Sequence, residues 1–449
     1  MFDIVVFVAT LIGSVIFAKS LSASARNVMV PLALAYYLLV IVVIGAVGTS
    51  GLVHFLFTSM NFVPVMIMCD GLNAKEWHGN AAWKAFVFFY VYMTIIGLTG
   101  YLPMSCTMFY LQSFLNTFAA GYFVARWVCR TEGGLRKLVV PLIGVAIVAI
   151  IYYVQNQRLL SNELDVYGRM DVSELIDDDH VVNVNGIALR IDAILPFLLL
   201  AFFYVRKYLF VKYVALASAI ILGLLLVRTG SRNGTLVLLP CIWYFLHASV
   251  RGRLKMKYVV ALIIVGVIFT VGVLFTNKGV NIIRAFDFSG ESQMGIEYSA
   301  MDRISTGRWS MYQQGLSYMS PTAKIFGKGG MNSLYSSKGE RIVRFRGANA
   351  HSIYMTIFYR SGLVGILLFV IFLCVFFAEA KKMGFRGNMA KFFMLCYLLT
   401  GIGESWGMNG GATAILAGFA IGLISRRPAT NSEFGEIPLG YYGPWNRMA

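Results

Sequence analysis

Long apolar runs separated by short polar stretches dominate the chain, and the runs have the length of membrane crossings. A bilayer's hydrocarbon core takes about 20 consecutive apolar residues as a helix. Runs of this kind predict spans near 3–18, 28–47, 52–69, 82–99, 104–125, 138–154, 191–205, 211–227, 233–250, 257–276, 351–377, 389–407 and 411–425. Asn61 and Pro64 interrupt the run 52–69, which makes it the segment to be re-entrant or interfacial if the count is twelve. The pattern predicts an all-α polytopic membrane protein with 12–13 transmembrane helices.

The polar stretches carry a directional signal. Short loops rich in Lys and Arg stay in the cytoplasm. Lys19 and Arg26 share one loop; Arg126, Arg130, Arg136 and Lys137 another; Arg206, Lys207 and Lys212 a third. Arg251, Arg253, Lys255 and Lys257 follow, then Lys381, Lys382, Arg386 and Lys391, and finally Arg426 and Arg427. With the spans above, every cluster falls on one face, together with the tail 426–449. The chain thus divides into N-terminal helices (1–154), an external segment (155–190), central helices (191–276), a second external segment (277–350) and C-terminal helices (351–425).

Composition supports this reading. Of 449 residues, 58% are hydrophobic and 13% charged, and the mean hydropathy is +0.71. Soluble domains carry roughly 25% charged residues, so a water-soluble globular fold is excluded. The net charge of +17 is informative only outside the cytoplasmic loops. Cys69, Cys106, Cys129, Cys241, Cys374 and Cys396 are scattered without CxxC spacing, which argues against a disulfide framework or a zinc site. Met1-Phe2-Asp3 lacks the basic start of a cleavable signal, so the first span is expected to remain.

The two external segments differ in sign. Segment 155–190 is acidic, with Glu163, Asp165, Asp171, Glu174, Asp177, Asp178 and Asp179 against Arg158, Arg169 and Arg190. Its Asp177–His180 run reads as a solvated charge run, and no metal site is expected there. Segment 277–350 has ten basic and five acidic residues, net +5. A basic external loop implies either a phosphate-bearing ligand, for which arginine's planar fork is suited, or a long loop whose charge is under no topological constraint.

Three stretches could carry chemistry. Leu226–Thr235 joins two apolar runs and holds Arg228 and Arg232 four residues apart. A continuous helix would put both guanidiniums on one face; a glycine-opened turn would instead aim backbone N–H groups at an anion. Each arginine either faces a cavity or snorkels to the interface. Next, a helix is predicted from near Thr306 to before Pro321, with Arg308 in its first turn and Trp309, Tyr312 and Leu316 along the membrane surface. The third stretch, Asn349–Met355, opens an apolar helix. Of His54, His78, His180, His247 and His351, only His351 sits where a long external loop enters a membrane helix. An imidazole there is either structural or a base that activates a hydroxyl.

In order and spacing these stretches resemble the O-antigen ligase/polymerase family of bacterial envelope polysaccharide enzymes. The matching residues are Ser231-Arg232-Asn233, Gly307-Arg308-Trp309-Ser310-Met311-Tyr312, Pro321, Phe326-Gly327-Lys328-Gly329, His351-Ser352-Ile353-Tyr354-Met355 and Gly362-Leu363-Val364-Gly365. The resemblance covers about residues 185–425. One departure is Ser352, where many ligases have Asn. Arg284, with Gly295 after ten intervening residues, is similar to a pattern of the polymerase branch.

The resemblance implies a GT-C-like membrane glycosyltransferase of lipopolysaccharide biosynthesis in the bacterial inner membrane. Its active site would face the periplasm, and its large periplasmic loop would contain short helices. The donor would be an undecaprenyl-pyrophosphate-linked oligosaccharide, used without metal, cofactor or nucleotide sugar. His351 would be the base, and Arg232, Arg308 and Arg228 would bind pyrophosphate. Arg284, Arg346, Tyr354 and Glu404 would be auxiliary, Glu404 pairing with an arginine. A flippase and a chain-length regulator are the expected partners, and no nucleic acid is. A polymerase extends a lipid-linked repeat unit, whereas a ligase transfers the finished chain to lipid A–core; the polymerase is the favoured reading. An unrelated alternative, a transporter or flippase of an anionic lipid-linked glycan or solute, should show internally repeated halves, and none is apparent.

Overall fold

The computed structural model describes residues 12–13, 15–43, 65–66, 68–69, 79–99, 117–131, 133–155, 184–204, 209–229, 231–248, 308–317, 319–327, 334–335, 341–343, 352–403 and 413–425. The expected span 257–276, residues 156–183 and the tail 426–449 lie outside them, and 3–18, 52–69 and 104–125 are described only in part. Residues 184–190, expected in the acidic external segment, are helical instead and continue into the span expected at 191–205, with Arg190 buried.

The described chain is nearly all helical. In order it forms α1 (Ala23–Val43), α2 (Ala81–Thr99), α3 (Ala119–Arg130), α4 (Gly134–Gln155), α5 (Val184–Tyr204), α6 (Leu209–Arg228), α7 (Arg232–Leu236) and α8 (Leu238–Ala248). Then come α9 (Arg308–Ser317), α10 (Pro321–Phe326), α11 (Ile353–Lys382), α12 (Gly384–Thr400) and α13 (Ala414–Ile424). A small antiparallel pair, β1 (Leu334–Tyr335) and β2 (Arg341–Val343), is the one departure from helix among the regular elements described. Among the described residues, four helices are long and apolar enough to cross a membrane: 81–99, 134–153, 209–228 and 353–382. α2 shows the reason. It buries Trp83, Phe86, Phe89 and Met93 inward while Phe88, Val91, Ile95 and Leu98 stay exposed outward. A helix apolar on every side has lipid, not water, as its outer solvent. The protein is an all-α polytopic membrane protein.

The centre of the bundle is α13, whose residues are all buried between α3 and α12. A Cβ at Gly418 would strike the Phe118 carbonyl, and one at Gly422 the Tyr122 carbonyl. Lipid supplies no hydrophobic drive between helices, so close backbone approach through small residues holds such pairs. The contacts 118–418 and 122–422 make α3 and α13 parallel. Parallel membrane helices need an odd number of crossings between them, and seven are expected here. Aromatic rings fill the flanks: Trp83 stacks on Tyr122 and Phe86 on Phe118, both at 4.0 Å between centroids.

Two cations assigned above to loops are structural. Arg386 lies buried in the first turn of α12 and donates from Nε (3.1 Å) and Nη2 (2.6 Å) to the Leu423 carbonyl at the end of α13. Arg126 is buried within α3, where its Nη1 donates to Tyr122 Oη at 2.7 Å. A positive charge at a helix C-terminus satisfies carbonyls that have no helical partner.

The expected span 351–377 is displaced. α11 has 30 residues and breaks at Gly362, where φ is 62° and ψ −161°. A straight helix of that length would measure about 45 Å, against about 30 Å of hydrocarbon. Residues 363–382 alone match that thickness, and Leu363, Leu367, Val370 and Ile371 are exposed along them. The first stretch, 353–361, is mostly buried in protein and forms a separate helical segment ahead of the crossing.

Candidate functional site

α12 ends at Thr400, and the turn that follows, Gly401–Gly403, gathers two of the three stretches read as chemical. The Ile353 N–H donates to the Gly401 carbonyl at 2.8 Å. Arg308 Nη1 donates to the Gly403 carbonyl. The start of α11, directly after His351, and the first residue of α9 are therefore tethered to one three-residue turn. Tyr354 adds a hydrogen bond from its hydroxyl to the Leu398 carbonyl at 2.9 Å. Ser352 is buried at the N-cap position of α11 with extended backbone, and its hydroxyl makes no cap bond.

The helix expected from Thr306 to Pro321 is present as α9, and Arg308 opens it. Part of its apolar stripe packs against protein. Tyr312 and Leu316 pack with Met355 and Phe358 around Met319, Ala323 and Tyr359, while Trp309 remains 38% exposed. For Tyr312 and Leu316, protein supplies apolar surface that lipid was expected to supply. α10 then starts with Pro321 behind Ser320, whose hydroxyl accepts from Ala323 N at 3.2 Å.

Two glycine motifs interlock there. Gly327, after α10, has φ 89°, and Gly362 has φ 62°. A Cβ at Gly327 would collide with the Arg360 carbonyl, and one at Gly362 with the Ile325 carbonyl. Both positions require glycine twice over, for the left-handed backbone and for the space. The Phe-Gly turn is thereby clipped onto the break in α11.

The arginine pair takes the turn form. α6 ends at Arg228, Thr229 Oγ1 donates to the Leu226 carbonyl (2.6 Å), and the Ser231 N–H donates to Thr229 Oγ1 (3.2 Å). Arg232 opens α7 behind Ser231, whose hydroxyl accepts from Gly234 N at 3.4 Å. One helix ends at Arg228 and the next begins at Arg232, so no single helix carries both arginines. α7 packs on α5 and on α12, the helix leading to the Gly401–Gly403 turn. A Cβ at Gly234 would come within 2.6 Å of the Ala188 Cβ, so α7 sits directly on α5. Arg228 is half-buried. His351, Arg284, Arg346 and Glu404 lie outside the described residues, as does the side chain of Arg232.

Three buried polar residues escaped the sequence reading. Asp192 on α5 is fully buried beside Cys241 of α8 and Cys396 of α12, and neither carboxylate oxygen has a hydrogen-bond partner among the described residues. A lone acid at the head of the apolar run 191–205 was its signal. Thr356 and Arg360 are buried one and two turns after Ser352 on α11, a polar i, i+4, i+8 stripe in an otherwise apolar helix start.

No curated protein matches the chain. Residues 217–370 match the family model described as O-antigen ligase. The matched stretch runs from α6 through the arginine turn, α9 and α10 to the interlocked glycines of α11. That match, which takes in every motif named above, supports assignment of this membrane protein to the O-antigen ligase/polymerase family, whose members are glycosyltransferase-like enzymes.

Proposed function

We propose that the protein is a polymerase of O-antigen or a related surface polysaccharide, working at the periplasmic face of the bacterial inner membrane. It moves a glycan from an undecaprenyl-pyrophosphate donor onto the non-reducing end of a lipid-linked repeat unit. The observation that supports this reading is the shared tether: Arg308 and the helix start beside His351 both bond to the Gly401–Gly403 turn. The guanidinium and the helix that follows the candidate base in sequence are thus tied to the same turn, an arrangement in keeping with that chemistry.

Cleaving the anomeric C–O bond leaves negative charge on the departing pyrophosphate. Arg308, Arg232 and Arg228 stabilise that charge in a site of low dielectric, where fixed cations act most strongly. His351 takes the proton from the acceptor hydroxyl, and the sugar is transferred in one displacement with inversion. Glu404, directly after Gly403, pairs with one of the arginines. Tyr354 holds the helix start through Leu398, and Arg284 and Arg346 add positive charge from the loop. A flippase would deliver the donor and a chain-length regulator would limit the product.

A ligase is the second reading, favoured by the description of the matched family. Both are tested with the purified full chain in nanodiscs, supplied with lipid-linked repeat units, with and without lipid A–core. A ladder of longer lipid-linked glycans indicates the polymerase. Transfer only onto lipid A–core indicates the ligase. Glycan crossing the bilayer of sealed proteoliposomes with no new glycosidic bond overturns both.

A further inference from the structure

Tyr359 lies on the segment 353–361 of α11, ahead of the break at Gly362 and away from both tethers, yet it completes a closed ring of bonds around the candidate site. Its hydroxyl donates to the Tyr312 carbonyl at 3.0 Å, one helical turn beyond Arg308 on α9. The ring of Tyr359, 5% exposed, occupies the space that a Cβ at Gly315 would need. From Arg308 the path follows α9 to Tyr312, crosses to Tyr359, and follows α11 back to Ile353. It then crosses to Gly401 and returns through Gly403 to the Arg308 guanidinium. Every crossing ends on a backbone carbonyl; Tyr359 and Arg308 donate from their side chains and Ile353 from its main chain.

We propose that Tyr359 is a positioning residue for Arg308, holding α9 so that the guanidinium stays fixed relative to the start of α11; this rests on the role proposed above for Arg308. The far end of α9 is held separately, by Met319 and Ala323 packing and by the Gly327–Gly362 interlock. Without the Tyr359 bond α9 keeps its apolar seat but loses the link that sets its rotation near Arg308. A displacement of about 1 Å at a reacting centre is enough to cost on the order of 10²-fold in rate. A phenylalanine would fill the same seat without fixing the helix.

The test is a double-mutant cycle on the full chain in nanodiscs, with lipid-linked repeat units as substrate and initial rate of glycan extension or transfer as readout. Tyr359→Phe is expected to lower kcat roughly ten-fold with KM within about two-fold and Tm lowered by only a few degrees. Combined with Arg308→Lys, which replaces the planar guanidinium held at Gly403 by a freely rotating ammonium, Tyr359→Phe should change the rate by less than about two-fold. Gly315→Ala, which pushes the Tyr359 hydroxyl away, should reproduce the pattern and serves if the phenylalanine variant does not fold. Where the lysine variant is too slow to assay, the loss of kcat at unchanged KM decides. A wild-type rate for Tyr359→Phe, or the same fold-loss in both backgrounds, overturns the proposal. Full activity of Arg308→Ala would instead sink the proposed role of Arg308, so the two failures are told apart.

Discussion

Arg386 and Arg308 both donate to a carbonyl at the end of a helix, and they do so at opposite ends of α12. Arg386, 5% exposed, gives two donors to the last turn of α13, inside a seam where glycines bring α3 and α13 into backbone contact. Arg308 is half-buried and reaches a turn, Gly403, that also lies beside the start of α11. The first arrangement is saturated by protein and consists of packing plus a cap. The second sits where α9, the start of α11 and the end of α12 converge on one turn. Equal residue types thus serve stability at one end and candidate chemistry at the other, and their surroundings alone distinguish them.

The sharpest way to break this contrast is to remove each cation. Arg308→Ala and His351→Ala should each lower product formation by more than about 10²-fold, the scale of losing a charge stabiliser or a base, while the protein still inserts and elutes as a folded species. Arg386→Ala should leave the rate per folded molecule unchanged, and equal losses from both arginines would erase the distinction. Next in size is Gly418→Val, which forces the α3–α13 seam apart. Overpacking of this kind costs about 1–3 kcal/mol or more, so folded yield and Tm should both drop in size-exclusion thermostability measurements. Arg386→Ala should itself cost about 1–3 kcal/mol, since the Leu423 carbonyl loses both donors in a buried place, and should appear as a lowered Tm. The smallest effect is expected from Ser231→Ala. Loss of the cap on α7 should cost about 1 kcal/mol and slow the reaction modestly through Arg232, with Tm nearly constant.

Much of the bundle was legible because a membrane imposes one rule on every crossing. The runs 82–99, 138–154 and 211–227 coincide with α2, α4 and α6 within a few residues. Where the rule is relaxed, the reading drifted. The run 351–377 is apolar throughout, so nothing in its hydropathy marks the point where the helix breaks at Gly362. The stripe of Trp309, Tyr312 and Leu316 was correctly read as one face of a helix. That Tyr312 and Leu316 on this face pack against protein was not legible, because lipid and the side of another helix are equally apolar. Arg386 and Arg126 counted as loop charges because a cation that caps a helix or lies buried within one has the same letter as a cation in a loop.

Hydropathy, the one-sided placement of Lys and Arg, and the order of short motifs were enough to establish a polytopic helical membrane protein and to name Arg308, Arg232, Arg228 and His351 as candidates. They could do so because helix length against a bilayer and charge against its two faces are local properties, readable one segment at a time. That Arg308 and the start of α11 share the Gly401–Gly403 turn, that Gly327 locks into the break at Gly362, and that Asp192 lies buried between α5, α8 and α12 were decided only by the tertiary fold. Those contacts join residues tens to hundreds of positions apart, and they depend on how the helices pack rather than on what any one helix is.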